Sequence, residues 1–403
     1  MSDFVAIDGA VTAARGFKAA AVSAGIRYSR DDMALIVSER PAAVAGTFTT
    51  NRVCAAPVKV CQEHLKRRQA RAIVINAGCA NACTGKPGMK NARTMAQWTA
   101  EALAVPATTV FPCSTGTIGL QLPMDKIEAG IKLAAGALAY GTGPRAAKAI
   151  MTTDTVDKQV ALEFQIDGVP VRIGGMAKGA GMIQPNMATM LCFITTDAAV
   201  EPKALQACLS AAVAESFNRI TVDGDMSTND TVLLMANGAA GNKTLNPRHR
   251  QWKTFVAAVN TVTRELALKI VKDGEGATKF VTITVKGAAT VADARKAARA
   301  VANSLLVKTS WFGGDPNWGR VIDAVGYSGA RVKEERVNIA YDGISAVRGG
   351  MKAPNFALKD LERVLKQKSF VIDIDLHLGK GKDTVYTCDC SFDYVKINSE
   401  YMT

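Results

Sequence analysis

An α/β fold is predicted for this chain of 403 residues by its alternation of short apolar runs, helical stripes and Gly-rich turns. The apolar runs at 33–37 and 71–76 are typical of buried strands. The clearest helical stripe lies at 203–216, where Leu205, Leu209 and other apolar residues recur at helical spacing. Hydrophobic residues make up 48% of the chain, so a sizeable core can form over two or three domains.

Further elements follow from the same periodicities. Helical spacing predicts helices at 124–138, 252–270 and 291–306. Strict alternation predicts strands at 279–286 and 370–378. An Asp167-Gly168 pair within 159–173 indicates a hairpin, because this dipeptide favours tight turns between antiparallel strands.

Metal binding is not expected. Asp373, Asp375 and His377 share one face of a predicted strand, where a solvated sheet face is the favoured interpretation over a metal site. The three His and nine Cys show no spacing of a known zinc ligand set. A cytoplasmic protein is predicted, because the cysteines form no disulfide framework and residues 1–9 show no leader pattern. No membrane span is predicted, because no apolar run is long enough.

The chain carries a formal net charge of +13, from 49 Lys and Arg against 36 Asp and Glu. Such a field favours anionic substrates, and nucleic-acid binding is the competing interpretation. The densest basic runs, at 66–71 and 248–250, are short and are predicted to lie on helices as solvated faces. We therefore expect no nucleic-acid partner.

The segment 174–187 contains four Gly and one Pro directly before an apolar strand predicted at 188–194. This composition predicts a loop with unusual backbone angles or close ligand approach. Known nucleophile and phosphate motifs are missing: no Gly-x-Ser-x-Gly elbow, no complete Gly-x-Gly-x-x-Gly and no P-loop occur. None of the His residues lies in a motif-like context for a Ser-His-Asp triad.

A free α-amine is the remaining candidate base, because its pKa near 7.7–8.0 leaves part of it neutral at working pH. A threonine at a new N-terminus would carry nucleophile and base on one residue. Thr189, preceded by the small Ala188 at the end of the Gly-rich segment, fits such a role. A plain loop followed by a β-favouring threonine is the alternative that the pattern leaves open.

Motifs spread along the whole chain resemble those of the ornithine acetyltransferase (glutamate N-acetyltransferase) family. The first is the segment 178–191, which follows the pattern K-G-x-G-M-I-x-P-N-M-A-T-M-L. The others, in the expected order, are STGTIG at 114–119, MTTDT at 151–155, SFNRITVDGDMSTND at 216–230, KDGEGAT at 272–278, FGGDPNWGR at 312–320 and INSEYMT at 397–403.

The resemblance implies stacked sheets flanked by helices, in a layout like that of N-terminal-nucleophile hydrolases but with its own connectivity. It implies that the chain cuts itself between Ala188 and Thr189 into an alpha chain, 1–188, and a beta chain, 189–403. Thr189 is then the nucleophile, and Thr115 with Gly116 forms the oxyanion hole. Without the resemblance, the Thr115-Gly116 pair is interpreted as a turn that opens a helix.

Substrate contacts are also implied, and they are listed here together: Thr152, Lys178, Thr189, Glu275, Asn398 and Thr403. A Lys suits a carboxylate of the substrate, and a Glu suits the side-chain ammonium of ornithine. The ordinary interpretations are that Lys178 and Glu275 are surface charges and that the tail is frayed. Cys79 and Met402 depart from the residues that the family commonly has at these positions.

The implied reaction moves acetyl from N2-acetylornithine to glutamate through an acetyl-Thr189 intermediate, without a metal or organic cofactor. An α2β2 heterotetramer is implied, and whether acetyl-CoA is a second donor stays open. Two other classes remain: an aminopeptidase or amidase of related fold, in which water replaces glutamate, and a non-catalytic basic binding protein.

Overall fold

The computed structural model describes residues 4–27, 30–184 and 190–400. Strands and helices alternate along them, and sheets are flanked by helices, so the predicted α/β class is confirmed. The chain divides into two compact units. The first comprises Met1–Asn218 and Asp225–Ile270, and the second comprises Arg219–Gly224 and Val271–Met402. The division predicted at residue 188 concerns cleavage rather than compact units, and it stays a prediction.

One sheet of nine described strands, in the order β1-β6-β7-β8-β9-β3-β4-β5 with β2 beside β3, forms the first unit. The strands are β1 Val5–Ala6, β2 Phe17–Val22, β3 Met33–Phe48, β4 Gln69–Cys79, β5 Val110–Thr117, β6 Lys158–Ile166, β7 Val169–Lys178, β8 Leu191–Thr196 and β9 Thr231–Ala236. The helices are α1 Ala56–Leu65, α2 Gly85–Leu103, α3 Met124–Gly136, α4 Gly143–Ala149, α5 Pro202–Glu215 and α6 Trp252–Lys272, whose last two residues belong to the second unit.

The central strands of this sheet are buried on both faces. Ile36 and Ile73 belong to one hydrophobic cluster, whereas their neighbours Leu35 and Val74 belong to another cluster on the side covered by α2 and α3. Continuous apolar runs in β3 and β4 are therefore explained by double-sided burial. Strand β8 pairs antiparallel with β7 and parallel with β9, and β4 pairs parallel with β5.

The second unit contains a sheet of six described strands in the order β13-β12-β11-β14-β10-β15. The strands are β10 Phe280–Ala288, β11 Asn338–Tyr341, β12 Ile344–Arg348, β13 Met351–Lys352, β14 Ser369–Asp375 and β15 Gly381–Cys388. The helices are α7 Val291–Asn303, α8 Leu305–Phe312, α9 Trp318–Gly326, α10 Leu358–Leu365 and α11 Phe392–Glu400. The small residues of α7 and the alternating apolar residues of β10 and β14 share one core.

Two predicted element boundaries are wrong in this unit. The helix predicted at 291–306 ends at Asn303, because Ser304 adopts an extended conformation and its side chain accepts a hydrogen bond from Val307 N that caps α8. The strand predicted at 370–378 ends at Asp375. Its polar residues Asp373 and Asp375 are half-buried, and of the predicted solvated face only His377, beyond the strand, is exposed.

The predicted loop at 174–187 is wrong in its first part, because β7 continues through Lys178. Gly174 lies in mid-strand, where an added Cβ would come within 1.9 Å of Ala10 O. The Gly residues at the start of the segment therefore allow close packing rather than a loop. The basic runs at 66–71 and 248–250 also do not lie on helices: α1 ends at Leu65, and α6 begins at Trp252.

We predict that Gly174→Ala lowers the melting temperature. The free energy of unfolding should fall by about 1–3 kcal/mol, the usual cost of overpacking a tightly packed position. Gly136→Ala is the matched control, since no atom lies within 4 Å of its added Cβ and the residue ends α3. The control is expected to be neutral or stabilised by up to about 1 kcal/mol. Equal melting temperatures of the two variants would contradict the packing argument.

Candidate active site

Lys178 and Thr152, two predicted substrate contacts, lie together in the first unit. Lys178 ends β7 with 9% of its surface exposed, and its Nζ donates a hydrogen bond of 2.7 Å to Thr152 Oγ1. The interpretation of Lys178 as a surface charge is therefore wrong. The Thr152 side chain remains half-buried, so this pair offers a cation and a hydroxyl at one place.

Asp154 connects the residues around this pair. One of its carboxylate oxygens accepts hydrogen bonds of 2.6 Å from Lys158 Nζ and from Gly179 N, and the other accepts one of 2.9 Å from Thr152 N. Lys158 is fully buried. Burial opposes ionisation of Asp154, but attraction to Lys178 and Lys158 and the hydrogen bonds overcome it and lower its pKa to about 2. Asp154 is thus an anion that compensates two buried lysines.

The predicted oxyanion pair Thr115-Gly116 lies near the end of strand β5, so the interpretation of a turn opening a helix is wrong. The register of β4 against β5 shifts between Gly78 and Cys79, which places a bulge opposite this pair. Gly116 has a φ of 128°, and an added Cβ would lie 2.3 Å from Gly78 C. Only glycine fits here, which brings the backbone of β5 close to β4.

Buried amides hold the end of β5 in place. Ser114 Oγ donates a hydrogen bond of 2.6 Å to Asn76 Oδ1. Asn229 Nδ2 donates to the carbonyl oxygens of Ser114 and Ala80, at 2.8 and 2.7 Å. Sequence reasoning did not select Asn76 or Asn229, although Asn229 lies in the motif at 216–230. Their burial is the missing signal, because a buried amide needs a partner.

A small cavity of about 30 Å³ joins these parts of the site. Its lining residues are Thr115, Lys178, Met190, Leu191, Ser227, Asn229 and Asp230. The volume suits about one water molecule. The predicted nucleophile Thr189 and its neighbour Ala188 lie outside the described residues, but Met190, the next residue of the chain, lines this cavity. Thr115 and Lys178, predicted from separate motifs, therefore meet beside the residue that follows Thr189.

Asp230 is a second buried carboxyl in this cavity, with 1% of its surface exposed. Burial raises its pKa well above the usual range, against the opposing attraction of Lys178. Burial of this carboxyl beside Lys178 sets it apart from Asp154, whose pKa shifts in the opposite direction. Sequence reasoning missed this residue too, although it ends the motif at 216–230.

Two other predicted contacts, Glu275 and Asn398, meet in the second unit. Glu275 is 8% exposed, and one of its carboxylate oxygens accepts a hydrogen bond of 2.8 Å from Asn398 Nδ2. Asn398 lies on α11, which continues to Glu400. The interpretations of Glu275 as a surface charge and of this part of the tail as frayed are therefore wrong. The last predicted contact, Thr403, lies outside the described residues, as does Met402.

Neither a metal cluster nor a helix able to cross a membrane is found in the described ranges. All nine cysteines are unpaired thiols. The histidines contact other groups: His64 Nδ1 lies 2.7 Å from Val110 O, His249 pairs with Asp167 at 3.0 Å, and His377 contacts Asn338.

Comparison with known proteins identifies the relatives of this chain. Residues 18–403 match the model of the ArgJ family. The arginine biosynthesis bifunctional protein ArgJ of Geobacter sulfurreducens is 51% identical over 390 residues, which cover 96% of this chain and 99% of that protein. Glutamate N-acetyltransferase of Methanocaldococcus jannaschii is 47% identical, with 98% and 99% covered. A crystal structure of ArgJ from Bacillus halodurans, 43% identical, matches 52% of this chain and 98% of its own, with a TM-score of 0.50.

We predict that Asp154→Asn lowers the free energy of unfolding at pH 7 by about 3–5 kcal/mol, because it removes the partner of buried cations. The pKa of Asp154 is lower in the folded state than its ordinary value of 3.8, so the ionised carboxylate stabilises the fold above about pH 4. This contribution is lost as the pH falls through about 2. The difference between wild type and variant should therefore shrink in that window.

Urea denaturation at several pH values measures this difference. Asp31→Asn is the control, since its ion pair with Arg145 involves a largely exposed guanidinium and is expected to be worth less than about 1 kcal/mol. A pH-independent difference, or an equal loss in both variants, would show that Asp154 has no special role.

Proposed function

Because the chain belongs to the ArgJ family, we propose that it transfers the acetyl group of N2-acetylornithine to glutamate, giving N-acetylglutamate and ornithine in arginine biosynthesis. Similarity over nearly the full length to a named glutamate N-acetyltransferase supports the activity. The observation that carries the proposal is the cavity in which Thr115 and Lys178 lie beside Met190, the residue that follows the predicted nucleophile.

Acetyl transfer proceeds in two steps through Thr189. After cleavage of the Ala188–Thr189 bond, the free α-amine of Thr189 removes the proton of its own hydroxyl. Oγ then attacks the acetyl carbonyl, ornithine leaves with a proton, and the amine of glutamate takes the acetyl group in the second half of the reaction. The donors of Thr115 and Gly116 stabilise the oxyanion, which suits the fixed backbone at the bulge of β4 and β5.

Charge complementarity supports the proposed substrate contacts. Lys178, with Thr152, binds a carboxylate of the substrate, since the cluster with Lys158 and Asp154 carries an excess of one positive charge. For Glu275, Asn398 and Thr403, contact with the substrate is what the family resemblance implies, and the negative charge of Glu275 suits the side-chain ammonium of ornithine. The reaction needs no metal or organic cofactor, because nucleophile, base and oxyanion donors are all supplied by the chain.

Cleavage leaves two pieces that stay joined. Strand β7 before the cut and strand β8 after it are hydrogen-bonded neighbours in one sheet. The solved chain of the Bacillus halodurans relative matches only 52% of this chain, although 98% of it is matched. A chain of about half the length is what a cleaved relative would give. We propose an α2β2 heterotetramer in the cytoplasm. The Geobacter sulfurreducens relative is a bifunctional protein, which supports a second activity, and we propose acetyl-CoA as a second donor.

Wild-type protein is predicted to run as two pieces, 1–188 and 189–403, with Thr189 at the new N-terminus. Thr189→Ala should remain one chain and lose acetyl transfer, since it lacks the attacking oxygen. Intact-mass spectrometry with N-terminal sequencing checks both points. A fully active wild-type protein that is uncut would refute the mechanism.

Thr115→Ala is predicted to lower kcat by about 10-fold to 10³-fold with a smaller rise in KM, because its donor acts on charge that develops in the transition state. The variant should still be cut, since cleavage attacks a different carbonyl, that of Ala188. Steady-state kinetics of the cut variant with N-acetylornithine and glutamate measure the effect, with exposed Thr244→Ala as control. An unchanged kcat with a raised KM would make Thr115 a binding residue only.

The same assay distinguishes transfer from hydrolysis. Transfer predicts that release of ornithine from N-acetylornithine depends on glutamate and is matched by N-acetylglutamate. Equal release with and without glutamate, accompanied by acetate, would identify an amidase instead.

A further inference from the structure

A large cavity in the first unit is lined by five cationic side chains that the proposed reaction with N-acetylornithine does not use. They are Arg52, Lys59, Lys86, Lys90 and Arg93. We call this space of about 740 Å³ the cationic cavity. Its residues come from the segment after β3, from α1 and from the first turns of α2. Its volume lies in the range of sites for small molecules and cofactors.

The five cations of the cationic cavity are exposed to solvent, and most of them have no ion-pair partner among the described residues. Arg93 pairs with Glu63 at 3.1 Å, but no ion pair with the other four cations is found in the parts of the chain that the structure describes. An excess of four positive charges thus faces one cavity. This exceeds what the carboxylates of an amino-acid substrate neutralise, and it suits a ligand with several phosphate charges.

Helix α2 itself disfavours this arrangement in the absence of an anion. Lys86 lies in its first turn, where the helix dipole repels cations, and no acidic residue is present there. Lys86 and Lys90 are four residues apart, a spacing at which like charges repel. The Thr84 side chain donates to Asn81 Oδ1 and does not cap the helix. A bound anion would reverse each of these costs.

The cationic cavity is connected to the oxyanion segment through short hydrogen-bonded links. The chain from β4 to α2 pairs with the chain after Thr115-Gly116, since Ala80 N donates to Thr117 O and Gly119 N donates to Ala82 O, each at 3.0 Å. Parallel strands β4 and β5 end at the same edge of the sheet, where ligands of α/β proteins commonly bind. A ligand held in the cavity therefore lies on the side of the sheet where Thr115 ends its strand.

We propose that the cationic cavity binds the phosphates of a nucleotide-linked acetyl thioester, the chemical class of acetyl-CoA, as the second acetyl donor. The donor role rests on the proposed function, whereas phosphate binding is testable by itself. In the acyl step, Thr189 Oγ forms a bond to the acetyl carbon and the C–S bond breaks. The thiolate leaves with the proton that the α-amine removed from the hydroxyl, and glutamate then accepts the acetyl group.

The test compares two double variants with the same change in charge. Lys86→Gln/Lys90→Gln removes two cations from the cavity, and Lys243→Gln/Lys253→Gln removes two exposed lysines outside it. We expect the first variant to raise the KM for acetyl-CoA and the Kd for coenzyme A at least about tenfold, with N-acetylornithine kinetics changed less than about twofold. The control should match wild type in all three measurements.

Isothermal titration of wild type with coenzyme A, its form lacking the 3′-phosphate, and pyrophosphate identifies the ligand. Coenzyme A should bind most tightly, less tightly without the 3′-phosphate, and more weakly as salt rises. Equal affinity for pyrophosphate, no binding of coenzyme A, or unchanged binding in Lys86→Gln/Lys90→Gln would overturn the proposal. If wild type binds coenzyme A but is inactive with N-acetylornithine, and Lys86→Gln/Lys90→Gln no longer binds coenzyme A, the phosphate site is supported and the proposed function is refuted.

Discussion

The buried carboxylate of Asp154 is the constraint on which the site depends. Two lysines cannot be buried in the same region as cations unless an anion lies between them. Asp154 supplies that anion and at the same time accepts hydrogen bonds from the backbone of Thr152 and Gly179. It thereby holds the backbone directly after β7, next to Lys178, whose side chain donates to Thr152.

Two carboxyl groups near Lys178, those of Asp154 and Asp230, have pKa values that are shifted in opposite directions. The pKa of Asp154 is lowered to about 2, so it remains an anion that holds the lysines. Burial raises the pKa of Asp230, which lines the small cavity, well above its usual range. Environments that separate the pKa values of paired groups are a usual feature of catalytic sites. The excess positive charge left by the lysines then suits an anionic amino acid.

Periodicity was sufficient for most elements but not for their ends. The stripe at 203–216 and the hairpin at Asp167-Gly168 were predictable, because they depend on local spacing and local turn preferences. Gly174 was misinterpreted because its role is set by Ala10, a residue far away in sequence. Asp154, Asn229 and Asp230 were missed for the same reason: their burial and partners depend on the tertiary fold, and nothing in local spacing marks a carboxyl as buried.

The roles proposed for Thr189, Thr115 and Lys178 rest on the family resemblance, and the structure adds that Thr115 and Lys178 line one cavity. An acyl-enzyme is the central claim, and it is tested most directly by incubating the protein with N-acetylornithine in the absence of glutamate, followed by mass spectrometry. The account predicts that the piece beginning at Thr189 becomes heavier by one acetyl group on its first residue, and that glutamate removes this group. Steady formation of N-acetylglutamate by a protein that never carries the acetyl group would contradict it.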